Sequence, residues 1–355
     1  MTMDANPKLR IIVDAMGGDF APSNEIAGAV EALRKSGSDF EVILVGKESV
    51  ISEKLKGLDL AGLPISVVHA DDVITMDDSP TAALKQKKNS SLAIGMNLHK
   101  EGKGDAFVSA GNTGAVLSAA TLILGRIKGV GRPTIGAFFP SEKGVCLLLD
   151  AGTNVDCRPQ HLFEFAVMGS IYAKQVIKYE NPGVGLLNVG EEETKGNDIT
   201  KETYKLLKNS SLNFLGNVEG RDVLKGTAQV VVCDGFVGNI LLKFGESFPS
   251  FLKAKLITYA EDSILRKGFL GLVRGALKAA LKDMDYEEHG GVPVLGVNGV
   301  TIIGHGKSTP KAIKNMILKA AEVAKSGINQ HIEQTLAQTV TQRTLTGDTV
   351  SVAHP

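Results

Sequence analysis

Two features of the chain predict a three-layer αβα fold built on a largely parallel sheet. Short apolar runs alternate with helical stretches through most of its 355 residues, and parallel strands joined by helical crossovers must be covered on both faces. Polar, glycine-bearing turns recur where the apolar runs end. Ligands of open α/β sheets sit beyond such carboxyl ends, so a shared cleft is expected. The length exceeds one typical core, which points to one unit of two lobes around that cleft over residues 8–338.

A loose leader over residues 1–8 precedes a strand at Leu9 to Val13, ended by the turn Asp14-Ala15-Met16-Gly17-Gly18-Asp19. Pro22 and Ser23 open a helix to about Leu33, with Ala27, Val30 and Leu33 as its core positions. Glu41 to Gly46 reads as the next strand, Ser49 to Leu58 as its helix, and Ile65 to His69 as a strand again. The acidic loop Asp71 to Ser79 leads to a helix from Pro80 that carries Lys85, Lys87 and Lys88.

The stretch Gly104 to Gly125 organises the rest. Ala106-Phe107-Val108 reads as a buried strand, Ser109 to Gly114 are small residues, and Ala115 to Leu124 is apolar and of helical length. A strand that ends in a glycine-bearing loop and feeds a helix points unpaired backbone N–H groups at one spot, which favours an anion. Ser109, Asn112 and Thr113 can add side-chain hydrogen bonds there. The plainer alternative is a tight connection whose glycines only relieve crowding.

Beyond it, Ile135 to Phe139 and Val145 to Asp150 read as strands, the second ending in the polar loop Asp150 to Asp156. Pro159 to Lys178 is a long helix, and Gly183 to Val189 a strand ended by Gly190-Glu191-Glu192-Glu193-Thr194-Lys195-Gly196-Asn197. A helix at Ile199 to Leu207, a strand at Phe214 with its polar turn, and the β-branched run Val230 to Cys233 follow. Asp234 to Asn239 then precede a helix over Ile240 to Phe248, for which Asn239 would be a plain N-cap. Thr339 to Pro355 reads as a polar tail.

Composition removes several classes of function. Lysine plus arginine and aspartate plus glutamate both number 39, so no global charge points to nucleic acid. The cysteines, Cys146, Cys157 and Cys233, are far apart and suggest neither disulfides nor zinc. The amino-terminal residues carry no secretory signal pattern, and no apolar run reaches the roughly 18 residues of a spanning helix. Gly304-His305-Gly306-Lys307-Ser308 fails as a P-loop because Thr301 stands where glycine is required, although Lys307 can still face an anion at the helix from Pro310. Dinucleotide, zinc and acyl-serine motifs are absent too. Asn, Lys, Asp and backbone N–H groups at loop mouths remain, and they suit an oxyanion better than redox chemistry. For Lys195 the alternative is a solvated lysine balancing Glu191 to Glu193.

A helical segment over about 248–286 carries a single apolar stripe of Phe269, Leu272, Val273, Ala276, Leu277, Ala280, Leu281 and Met284. Arg274, Lys278 and Lys282 fall four apart on another face, and Ser263 to Lys282 hold five cations and no acid. Core packing or a dimer interface is the plain reading. A membrane-surface helix or a dock for an acidic protein is the alternative.

Eight stretches, in one order across nearly the whole chain, are similar to a known family. They are DAMGGDFAP (14–22), SAGNTGA (109–115), RP (132–133), DAGTNVD (150–156), LLNVGEEETKGN (186–197), GNVEGRD (216–222), CDGFVGNILLK (233–243) and GHGKS (304–308). The chain resembles the bacterial acyl-carrier-protein-dependent phosphate acyltransferases, PlsX, with Thr153 standing where that family's DxGAN has alanine. The resemblance implies a fold similar to the phosphotransacetylases and the isocitrate/isopropylmalate dehydrogenases. It implies reversible transfer of a long-chain acyl group from acyl carrier protein to inorganic phosphate, without metal or cofactor. The acyl phosphate would feed acylation of glycerol 3-phosphate in phospholipid synthesis. The enzyme would be a cytoplasmic homodimer at the inner face of the membrane, with the glycerol-3-phosphate acyltransferase a further partner. On this reading Lys195 and Asn239 stabilise the oxyanion or the phosphate. Asp14, Gly17, Gly18, Ser109, Gly111, Asn112, Thr113, Asn154, Asp234 and Gly238 shape the phosphate and acyl pocket. Phe269, Leu272, Arg274, Lys278 and Lys282 recruit the carrier or the membrane. An acetyl-CoA phosphotransacetylase, a decarboxylating dehydrogenase and a membrane scaffold are the rival readings.

Overall fold

The structure is a computed structural model that describes residues 8–346 apart from 262, 281 and 285, and excepting the side chains of 278, 280, 283, 286 and 339–346. In its first half β1 (Leu9–Asp14), α1 (Ser23–Ser36), β2 (Phe40–Gly46), α2 (Glu48–Lys56), β3 (Ile65–His69), α3 (Pro80–Gln86), α4 (Ser91–Lys100), β4 (Ala106–Ser109) and α5 (Thr113–Ala119) follow one another. β5 (Thr134–Ser141) and β6 (Gly144–Leu149) form a hairpin, followed by α6 (Pro159–Tyr172), β7 (Val184–Leu187), α7 (Asp198–Lys208), β8 (Phe214–Val218), α8 (Gly220–Lys225) and β9 (Val230–Val232). Two helices, α9 (Gly235–Glu261) and α10 (Ile264–Ala280), precede β10 (Val292–Leu295), β11 (Val300–Ile303), α11 (Pro310–Ser326) and α12 (Ile328–Thr346). Single π-helical turns extend α5 to Leu124 and α6 to Ile177, to the lengths expected from their apolar runs.

Among the described residues the strands form one eleven-stranded sheet, β3-β2-β1-β4-β11-β10-β5-β6-β9-β7-β8. Seven pairings are parallel and three antiparallel, so the sheet is largely parallel as expected. The three reversals sit together in the middle, where β10 pairs with β11 and β5, and β5 with β6. Strands β6 to β9 therefore run opposite to β1–β4, and the carboxyl ends of the two sets belong to opposite edges of the sheet. The sequence reading leaves β10 and β11 without an element, because each has only four residues and Pro293 and Gly299 interrupt the apolar pattern.

Inner strands carry no polar alternation because helices cover both of their faces. Ile11, Ile12 and Val13 of β1 and Leu147, Leu148 and Leu149 of β6 are buried. Burial stabilises each by roughly 1.5–3 kcal/mol. Helix α1 lies against α11, with Ile26, Ala29, Val30 and Leu33 buried; Ala27, expected in that core, is only half-buried. Helix α12 runs through the first part of the stretch expected as a polar tail. The leader up to residue 7, and residues 347–355, lie outside the described residues.

The segment after β9 departs most from expectation. Helix α9 starts at Gly235, five residues before Ile240, and continues through Pro249 to Glu261. The apolar stripe of α10 does not pack on this chain's core: Phe269 is 61% and Leu272 86% exposed. The helix stops at Ala280, so Lys282 and Met284 fall in a separate 3-10 turn rather than on the stripe. Leu281 and the side chain of Lys278 lie outside the described residues. No described helix is long and apolar enough to cross a membrane.

Candidate active site

The expected site residues gather in two groups. The first lies beyond β1 and β4. Ser109 Oγ donates to Asp14 Oδ2 at 2.8 Å and accepts from Gly111 N at 3.0 Å. A methyl group on Gly17 would lie 2.6 Å from Asp14 Oδ2 and 2.8 Å from Ser109 Oγ, so only glycine lets this turn close on β4. Gly18 abuts the Glu25 carboxylate, and Asp19 N donates to Gly306 O at 2.8 Å. Burial raises the Asp14 carboxyl against opposing hydrogen bonds from Ser91, Ser109 and the Met16 amide. Burial, reinforced by Asp14, raises Glu25 to about 7.

Two buried acids repel an anion, and the donors expected for one are largely committed. Asn112 Nδ2 donates to the carbonyls of Thr75, Met76 and Asp78, and its Oδ1 caps α5 by accepting from Ala115 N. Thr113, exposed at the start of α5, is the donor this turn still presents. The turn before α11 is likewise held within the protein: Thr309 caps the helix, Ser308 O accepts from Asn24, and Lys307 stays exposed.

The second group lies beyond β6, β7 and β9. Its hub is Asp150, which the sequence reading places only at the start of a polar loop. Its carboxylate accepts from the amides of Gly152, Thr153 and Asn154 at 2.8–2.9 Å and from Asn154 Nδ2 at 2.5 Å. These bonds oppose the burial that raises its pKa. Asn154 Nδ2 also reaches Pro133 O, and its own carbonyl accepts from Gly235 N at 2.7 Å. The predicted Asn154 is thus a brace between loops, with its amide already committed. An aspartate followed by three small or polar residues after an apolar strand is the signal that marks Asp150 as an Asx-type anchor. The Thr153 hydroxyl, where the resembled family has alanine, is buried without a hydrogen-bond partner, and nothing in the structure explains it.

Helix α9 packs directly on this loop. A methyl group on Gly238 would fall on the Asp150 carbonyl oxygen, so only glycine allows the contact. Asp234 Oδ1 accepts from Val237 N at 2.9 Å and so takes the capping role expected of Asn239. Asn239 instead sits in the first turns of α9, beside Gly152, with an exposed side chain that makes no hydrogen bond among the described residues. Lys195 is exposed in the loop after β7, where Asn188 Nδ2 holds its carbonyl at 3.1 Å.

A cavity of about 190 Å3 joins these parts. Gly196 and Asn197 of the Lys195 loop line one side, and Asp234 and Val237 at the start of α9 line the other. Leu186, Leu187 and Leu162 form its floor. Arg132, half-buried nearby, donates to Asp156 O at 2.8 Å. After burial, its charge and that of Arg158 depress the pKa of His161. The thiols at this edge are inert. Burial pushes Cys157 up to about 12, with Asp150 adding to the shift, and pushes Cys233 well above its ordinary value. Cys146 reaches about 12 through burial.

A family model described as "Fatty acid synthesis protein" matches residues 9–331. Phosphate acyltransferases from Chlorobaculum parvum and Pelobacter propionicus are each 47% identical, over 93% of this chain and 99% and 95% of theirs. The chain belongs to the phosphate acyltransferase family. It is therefore an acyltransferase. Among solved structures, a phosphotransacetylase from Streptococcus pyogenes superposes with a TM-score of 0.60 at 17% identity, over 90% of this chain and 94% of that one. The EutD phosphotransacetylase from Staphylococcus aureus gives 0.57 at 16% identity, over 89% and 94%. These likenesses show the phosphotransacetylase-like fold expected from the sequence.

Proposed function

We propose that this phosphate acyltransferase moves a long-chain acyl group from the thioester of acyl carrier protein to inorganic phosphate, giving acyl phosphate for phospholipid synthesis. The observation that carries the reading is an uncommitted lysine and an uncommitted asparagine next in the chain to one cavity, Lys195 beside its lining residue Gly196 and Asn239 two residues after its lining residue Val237. Lys195 is flanked by three glutamates, yet among the described residues its ammonium makes no ion pair, because Glu193 holds Lys208 and Glu191 faces Arg221.

A phosphate oxygen attacks the thioester carbonyl carbon, and the carbonyl oxygen takes up negative charge. Lys195 and Asn239 donate to that oxyanion or to the entering phosphate. The C–S bond then breaks, the sulfur takes the proton of hydrogen phosphate, and acyl phosphate leaves with the carrier thiol. Donors aimed at developing charge are the main requirement of such a step. The raised thiols of Cys157 and Cys233 argue against an acyl-cysteine intermediate, since the thiolate is the nucleophile. Arg132 is the cation this edge offers to phosphate. Asp234 and Gly238 seat α9, and Asn154 braces the Asp150 loop against it. Asp14, Gly17, Gly18, Ser109 and Gly111 set the Asn112–Thr113 turn, which lies at the sheet edge opposite the Lys195 cavity and has no part in the transfer step.

The exposed apolar side chains over 248–286, with Phe269 and Leu272 among them, serve homodimer or membrane contact. Arg274, Lys278 and Lys282 attract the acidic carrier or the membrane, placing the enzyme at the inner face of the membrane beside the glycerol-3-phosphate acyltransferase.

The test is phosphate-dependent loss of palmitoyl-acyl carrier protein, with hydroxylamine trapping the acyl phosphate as hydroxamate. Hydroxamate that requires both phosphate and carrier is the expected result. Hydroxamate from acetyl-CoA alone would assign a phosphotransacetylase instead.

A further inference from the structure

The cavity beside Lys195 has a wall that accepts hydrocarbon and little else. Its apolar lining is Leu162, Leu186, Leu187, Val189, Ile199 and Val237. Most of its polar neighbours are turned to the protein's own backbone. Asn188 donates to Lys195 O and accepts from Val189 N. Asn197 accepts from Thr200 N, and the Thr200 hydroxyl donates to Asn197 O. Asp234 accepts from Val237 N, and the Cys233 thiol faces Asp150 O. A phosphate or the amides of a pantetheine arm placed against the apolar wall would leave polar atoms unmatched, which is unfavourable. A methylene chain placed there is stabilised by leaving water.

We infer that this cavity receives the acyl chain of the substrate, with Ile199 and Val237 as the residues that set which chains are accepted. The inference rests on the acyl transfer proposed above and names the acyl subsite within it. A dry apolar cavity of roughly 150 Å3 takes a six-carbon ring; at about 190 Å3 this one holds the carbons next to the thioester and not a whole long chain. The remainder leaves over the exposed ladder Val237, Ile240 and Phe244, three and four residues apart on one side of α9. The thioester carbon then stands at the cavity mouth between the Lys195 loop and the first turns of α9.

The experiment compares wild type with Val237→Trp and, independently, Ile199→Trp, using butanoyl, octanoyl and palmitoyl carrier protein as acyl donors. Closing the way from the cavity onto α9 is expected to lower the palmitoyl-to-butanoyl ratio of kcat/KM at least tenfold, because butanoyl ends within the cavity, while the KM for phosphate holds. A ratio that stays constant in both folded variants overturns the inference. Calorimetric titration with dodecanoate separates this outcome from failure of the parent reading. If wild type makes no acyl phosphate, that reading falls, and the subsite is still decided by binding. Dodecanoate bound by wild type and lost in the variants supports the subsite. Binding unchanged in the variants, or absent from wild type, overturns it.

Discussion

Lys208 Nζ lies 2.8 Å from Glu193 Oε2, and this pairing leaves Lys195 without the partner that its own loop would supply. The run of glutamates before Lys195 suggests a lysine neutralised in place, and Lys208, the last residue of α7, takes Glu193 instead. Both Lys208 and Glu193 are largely exposed, so the pair contributes little to stability. Its consequence is local: the exposed ammonium of Lys195 makes no ion pair among the described residues.

Lys195→Ala and Asn239→Ala are each expected to lower kcat about 10²–10³-fold, the usual loss for one oxyanion donor. Thermal melts should be unchanged, since both side chains are exposed and unbonded. Hydroxamate assays with palmitoyl carrier protein measure the rates. Near-normal turnover in both variants would remove these residues from the mechanism.

Glu25 gives the chain a pH-dependent stability. Its carboxyl moves from an ordinary 4.5 to about 7 in the folded state, and its Oε2 has no hydrogen-bond partner. Between those two values the folded chain binds more protons than the unfolded chain, so stability falls as pH rises and levels off above about 7. The loss is about 3 kcal/mol. Glu25→Gln should raise the melting temperature at pH 8 and leave it nearly unchanged at pH 4.5. Melting curves across that range check the difference between variant and wild type.

Gly238→Ala should fail at the contact between α9 and the Asp150 loop, because its methyl group has no space beside the Asp150 carbonyl. A loss of about 3 kcal/mol, at the upper end of overpacking, is expected in urea unfolding. Gly268→Ala, with open space around it on α10, should be neutral or slightly stabilising by the same measurement.

Reversing Arg274, Lys278 and Lys282 to glutamate should abolish flotation with vesicles containing phosphatidylglycerol or raise the KM for the carrier. Each cation near an anionic surface contributes about 1 kcal/mol. Vesicle binding and carrier KM both unchanged would make the basic face structural.

Periodicity and turn chemistry made the layered architecture legible before any coordinates, since buried parallel strands are short apolar runs and helices between them carry the core. Which sheet edge carries the candidate site was not legible. It depends on the reversal at β10 and β5, and four-residue strands containing Pro293 or Gly296-flanked turns carry too little periodicity to announce it. The names of the candidate residues were open to sequence, because glycine, asparagine and lysine at strand ends suit an oxyanion. Their availability was decided by tertiary structure alone. Asn112, Asn154 and Asn239 are the same side chain shortly after strand ends, yet of the three only Asn239 has an amide with no hydrogen bond among the described residues. The early start of α9 at Gly235 gives the cap to Asp234, and hydrogen-bond saturation is a property of neighbours distant in the chain.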